Sequence, residues 1–105
     1  MDIKFSNVDD FLIVELIGEL DHHSAEEVRV KIDDRIDRDN IKKVILNFRN
    51  VTFMDSSGIG IIMGRYKTVS LIGGEVWAVH TNERIRKILI FSGAAKIMQI
   101  YEGEK

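Results

Sequence analysis

Val44-Ile45-Leu46-Asn47-Phe48, then Met54-Asp55-Ser56-Ser57-Gly58, then Ile59, Ile62, Met63, Tyr66 and Val69 at helical spacing, form the stretch that decides the fold. The first five residues are a short apolar run rich in β-branched side chains, which reads as a buried strand. A polar knot follows, and the helical repeat begins immediately after it. The segment therefore reads as strand, tight loop, helix. Toward the C-terminus, Gly73-Gly74 closes that helix and Val76-Trp77-Ala78-Val79 gives another strand. Asn82 can cap a third helix, with Ile85, Ile88 and Leu89 inward and Gly93 as its stop. A last strand is expected over Ile97 to Tyr101.

Toward the N-terminus, Ser24-Ala25-Glu26-Glu27 matches a capping box, in which Ser24 and Glu27 each satisfy a helix-start N–H. Ala25, Val28, Ile32 and Ile36 then recur as one buried stripe, to about Arg38. Ile3 and Phe5 alternate with polar neighbours. After a turn at Asn7 to Asp10, the denser run Phe11 to Ile17 ends at Gly18. These read as an antiparallel edge strand and an inner strand. Strands alternating with helices imply parallel neighbours joined by right-handed crossovers. The expected class is α/β: a mixed, mostly parallel sheet of four to five strands packed with helices. No proline, Gly/Ser-rich stretch or repeat breaks the pattern, so residues 1–105 read as a single domain.

At 105 residues and 45% hydrophobic content, the chain carries enough apolar surface for one core. The net charge of -2, with both signs interspersed, lacks the basic excess of a protein that neutralises nucleic-acid phosphates. Apolar runs are far too short to span a bilayer, and the start Met1-Asp2-Ile3-Lys4 has no signal-peptide pattern. The absence of cysteine suits a reducing compartment, so a cytoplasmic location is expected.

In an open parallel sheet, loops leaving the carboxyl ends of the strands share one edge, where ligands and partners bind. Three loops qualify: Glu19-Leu20-Asp21-His22-His23, Met54-Asp55-Ser56-Ser57 and His80-Thr81-Asn82. Ser56 stands at a helix start, where the N–H groups of Ser57, Gly58 and Ile59 are expected to point outward unpaired and to favour an anion such as a phosphate on its own hydroxyl. Asp55 opposes that charge. Equally, Asp55 and Ser56 read as plain helix caps, and pattern does not decide between the two.

Enzyme readings lack their geometry. Neither Ser56 nor Ser57 has the glycine two residues earlier that a nucleophile elbow needs. A triad of Ser56 with His22 or His80 and Asp55 is not fixed by anything in the sequence. His22-His23 lack the i,i+4 spacing of a zinc pair, and Gly58-Ile59-Gly60 is a fragment of a phosphate loop without its Gly-Lys-Ser/Thr. No metal and no cofactor are expected. Gly58, Gly60 and Gly64 are expected to let their helix pack close to the sheet, and Met54 and Met63 read as core filler or interface. Arg84, Arg86 and Lys87 are expected to form a solvated helix face.

Gly18-Glu19-Leu20-Asp21-His22-His23, Phe53-Met54-Asp55-Ser56-Ser57-Gly58, Gly64-Arg65-Tyr66-Lys67 and Ile72-Gly73-Gly74-Glu75 together resemble the STAS domain, and within it the sporulation anti-sigma-factor antagonists of bacilli. The resemblance spans nearly the whole chain. It implies a STAS fold and a partner-switching cycle without catalysis by this chain. The unmodified protein binds an anti-sigma factor that is also a serine kinase, and so frees the sigma factor. The kinase phosphorylates the first serine of the Asp-Ser-Ser-Gly loop, Ser56, and a PP2C-type phosphatase reverses the change. Asp21, His22, His23 and Ser24, together with Asp55, Ser56, Ser57 and Gly58, are the implied partner-binding residues. A STAS regulator of a stress pathway, or a small nucleotide- or ligand-sensing module, shares the pattern, and His22-His23 favours sporulation. The few residues after Tyr101 imply a shortened C-terminal extension or last helix.

Overall fold

The computed structural model describes residues 1–100. Strands β1 (Asp2–Val8), β2 (Phe11–Leu20), β3 (Lys43–Met54), β4 (Glu75–Val79) and β5 (Gln99–Ile100) form one sheet in sequential order. β1 and β2 pair antiparallel, and the other three pairings are parallel. Helices α1 (Ala25–Asp39), α2 (Ser56–Ser70) and α3 (Glu83–Phe91) supply the crossovers. This is the expected mixed, mostly parallel α/β sheet.

Sequential strand order with right-handed crossovers places every helix on the same face. Burial agrees: Leu12, Val14 and Leu16, Val44, Leu46 and Phe48, and Val76 and Ala78 are buried at alternate positions. They meet Val28, Ile32 and Ile36 of α1, Ile61, Ile62 and Val69 of α2, and Ile85 and Leu89 of α3. The opposite face carries Phe11, Ile13, Ile45, Trp77 and Val79, all half-buried. There Phe11 meets Trp77 edge to face at 6.4 Å, Lys43 Nζ lies 5.0 Å over the Phe11 ring, and Trp77 Nε1 donates to Glu75 Oε1 at 2.7 Å.

Two strands outrun their expected ends. β2 continues through Gly18, whose φ of +114° suits glycine, to Leu20. β3 continues past Phe48 to Met54 by carrying two extra residues. From Glu15 to Ile17 β2 advances two positions while β3 advances three, Asn47 to Asn50; from Gly18 to Glu19 β2 advances one while β3 advances two, Val51 to Phe53. These bulges change the buried spacing of β3 from two to three, giving Phe48, Val51 and Met54. Met54 is therefore a buried strand end and not part of the polar loop.

β4 stops at Val79, opposite Asn47, so β2 and β3 rise above it as a ribbon, flanked by β1 as far as Ile17 and two-stranded from there to Leu20 and Met54. At the other end Gly74 closes against the sheet, where an added Cβ would lie 1.9 Å from Lys42 O. Among the described residues the expected last strand starts only at Gln99 and is seen as Gln99–Ile100, because Ala94–Lys96 form a 3-10 turn capped at Ile97. Tyr101, and the residues on which the shortened C-terminus was read, lie outside the described residues.

Candidate functional site

The ribbon decides which loops meet. Leu20 and Met54 are its last paired residues, so the segments that follow, 21–24 and 55–58, start side by side. Asp55 N donates to Leu20 O at 3.4 Å, and His22 N donates to Asp55 Oδ2 at 3.3 Å. The loop His80-Thr81-Asn82 does not join them. It leaves β4 opposite Asn47, whose partner Glu15 lies five residues before Leu20 on β2, so at about 3.3 Å per residue it is on the order of 16 Å lower. His80 sits beside Arg49 instead, with ring nitrogens 3.4 and 3.5 Å from Nη2. The expectation of three converging loops is thus corrected to two, because β4 is short.

Asp55 is the hinge of the site. Its extended backbone (φ -118°, ψ -168°) makes it the N-cap of α2, and its Oδ1 accepts from Ser57 N at 2.8 Å and Gly58 N at 3.2 Å. Ile59 N donates to Asp55 O at 3.2 Å. The N–H groups expected to be free for a phosphate are therefore occupied. Of the two open readings of Asp55, the cap is the one built. Ser56 lies outside this cap and is exposed, while Ser57 is half-buried.

Gly58 is buried, and a Cβ there would come 2.7 Å from Leu20 O and 2.6 Å from Met54 Cγ. Its role is to seat α2 against the ribbon. Gly60 and Gly64 differ: nothing lies within 4 Å of a Cβ at either, so the expected packing reason fails for both.

The 21–24 loop is organised by its own acid. Asp21 Oδ1 accepts from His23 N at 2.9 Å and Ser24 N at 3.2 Å. Ser24 Oγ accepts from Asp21 N at 3.1 Å and donates to Glu19 O at 2.8 Å, so it turns back into the loop and makes no cap bond to α1. Glu27 pairs with Lys31 at 2.9 Å. The expected capping box is not formed, because the two side chains have other partners. Desolvation raises the Asp21 carboxyl, but the N–H groups of Ser24 and His23 and the neighbouring His23 outweigh it and leave the group below its ordinary value. His22 and His23 are exposed, edge to face at 5.6 Å.

Of the eight expected partner residues, His22, His23 and Ser56 are exposed, Asp21, Asp55 and Ser57 are half-buried, and Ser24 and Gly58 lie inside as supports. Phe53, exposed at the ribbon's end, adds an apolar side chain that the strand pattern hid. A depression of about 300 Å³ beside the loop is lined by Met1, Glu19, Asp21, His23, Ser24 and Glu27. Three carboxylates there repel a nucleotide's phosphates. Behind the site, Arg65 of α2 is only 7% exposed and its Nε lies 2.8 Å from Asp33 Oδ1 of α1. Burial pushes its pKa down, and Asp33 partly offsets that. Its place in a helical repeat of apolar residues gave no sign of this. Among the described residues no helix is long and apolar enough to cross a membrane.

The STAS domain model matches residues 2–105. The anti-sigma F factor antagonist of Paenibacillus polymyxa is 45% identical over 93 residues, covering 89% of this chain and 80% of that one. The structure of the anti-sigma factor antagonist SpoIIAA in its unphosphorylated form superposes with a TM-score of 0.79 at 28% identity, over 98% of this chain and 90% of that one. That of the Bacillus cell fate determinant SpoIIAA in the phosphorylated form gives 0.76 at 32% identity, over 94% and 90%. With the fold, the loop pair and these relatives in agreement, the chain belongs to the STAS-domain family and, within it, to the anti-sigma-factor antagonists.

Proposed function

We propose that this chain binds an anti-sigma factor through the 21–24 and 55–58 loops, thereby freeing a sigma factor, and that phosphorylation of Ser56 ends the binding. The observation that carries the switch is the occupied helix terminus: Ser56 is exposed while Asp55 already holds the N–H groups of Ser57 and Gly58. A phosphate on Ser56 Oγ brings roughly -1.5 to -2 charges next to a carboxylate, with those N–H groups taken. It stays at the surface and confronts the partner directly, so release needs no refolding of α2. The kinase is the anti-sigma factor itself, transferring the γ-phosphoryl of ATP to Ser56 Oγ, and a PP2C-type phosphatase hydrolyses the ester. The cycle runs in the cytoplasm, and the chain contributes no catalytic group.

The test is intact mass after incubation with ATP and a sporulation-type anti-sigma-factor kinase, with fragment mapping. One phosphate, on Ser56, is expected, with Ser56→Ala unmodified yet still bound to the kinase and Ser56→Asp bound weakly. No phosphate on the chain, with the kinase active on its own substrate, overturns the reading.

A further inference from the structure

Standard protein interfaces take about 20–30 residues from each side. The two site loops present only six of their eight residues at the surface, so a stable complex needs further area. α3 supplies an outward face of the right character. Arg84, Lys87, Ile88 and Phe91 recur at i, i+3, i+4 and i+7, opposite the buried Ile85 and Leu89. Phe91 is 87% exposed, more than any other large apolar side chain among the described residues. Together with Glu83 these residues line a depression of about 480 Å³.

Charge says what fits there. On α1, the cations Arg29, Lys31, Arg35 and Arg38 are each matched by acids one turn away. On the outward face of α3, Arg84 and Lys87 stand with the single acid Glu83, in a chain whose net charge is -2. Lys87 Nζ reaches Glu83 at 3.4 Å, and Arg84 has no ion pair or hydrogen bond among the described residues. A concave, positive face with an apolar floor matches a segment carrying carboxylates around one apolar side chain. The lone Glu83 on its rim and the negative chain around it disfavour an anionic bilayer.

We propose that this face of α3 is a second docking surface, which takes an acidic segment with an apolar tip from the same anti-sigma factor that engages the Ser56 loops. The inference rests on the proposed function. α3 follows β4, whose end lies on the order of 16 Å below the loops, about two Debye lengths at physiological salt. A charge on Ser56 is largely screened at α3, so this contact holds in both states of the switch.

The experiment is calorimetric titration of the purified anti-sigma factor into the unmodified chain, Arg84→Glu/Lys87→Glu, Phe91→Ser and Ser56→Asp, with circular dichroism confirming the fold of each. The altered side chains are at the surface, so the α3 variants fold. The charge reversal is expected to weaken binding about tenfold, and Phe91→Ser by a similar factor. The charge-reversal loss shrinks at roughly 0.5 M salt. If both α3 variants bind like the unmodified chain while Ser56→Asp binds weakly, the second surface is overturned and the proposed function stands. If the unmodified chain does not bind, both fall. If Phe91→Ser leaves binding intact but changes the sedimentation of the free chain, the face is a self-contact and the proposal is wrong.

Discussion

Two glycines two residues apart in α2 are in opposite situations, and replacing each by alanine separates them. At Gly60 the new methyl meets nothing within 4 Å, so the substitution only removes the helix penalty of glycine, about 1 kcal/mol in favour of the fold. At Gly58 the methyl lands 2.7 Å from Leu20 O and 2.6 Å from Met54 Cγ. Met54 Cγ belongs to a side chain that is 3% exposed, and Leu20 O is ribbon backbone that also accepts from Asp55 N, so neither gives way easily. Overpacking costs about 1–3 kcal/mol, and a contact this short against backbone belongs to the upper part of that range, about 2–3 kcal/mol; less the helix gain of about 1 kcal/mol, Gly58→Ala is destabilised by about 1–2 kcal/mol. For a domain of this size each kcal/mol moves Tm by about 4–8 °C, so Gly60→Ala melts about 5 °C higher and Gly58→Ala about 5–10 °C lower. Thermal and urea unfolding followed by circular dichroism measure both. Equal shifts in the two variants, or a stabilised Gly58→Ala, refute the seating of α2 on the ribbon described above.

Asp55→Ala removes the cap of α2 and the tie to His22, and is expected to lower stability by about 1–2 kcal/mol, with amide shifts at His22, Ser57 and Gly58 in a nitrogen-proton spectrum. Arg65→Met replaces a buried guanidinium with an apolar chain of similar length; its unfolding midpoint in urea is expected at or above the unmodified value, and below both lies Asp33→Ala, which strands the charge of Arg65. Because the Asp21 carboxyl is held below its ordinary value of 3.8, its contribution to the loop is present above that pH and is lost as pH falls through the lower, folded value; the amides of His23 and Ser24 are expected to titrate with a midpoint below pH 3.8.

The order of elements was legible because each rests on a local period: alternate apolar residues for the sheet, three-four spacing for α1, α2 and α3. The upper half of β3 was not. Its bulges abolish the alternation that marks a strand, and the exposed Arg49, Asn50 and Thr52 break the apolar pattern. Because β4 looked like a full neighbour, His80 was placed with the site, whereas register and not loop order sets height along a sheet. Ser56 and Asp55 were visible as a helix start, but which donors Asp55 would take depended on its backbone angle. The capping box at Ser24 failed for a related reason, since Asp21 and Glu19 offer that hydroxyl nearer partners. Arg65 was invisible because a helical stripe says where a side chain points, not whether an acid on the next helix awaits it.

The raised ribbon leaves β3 from Asn50 to Met54 with a strand neighbour on one side only. A flat, regular edge of that length is a template for another chain's strand, and so a seed for aggregation. The two extra residues in β3 twist and interrupt that edge just where β4 stops covering it. The irregularity that lets β3 follow β2 to the loops thus also breaks the edge along which copies of the molecule would join strand to strand, and a deletion that straightened β3 is expected to favour aggregation.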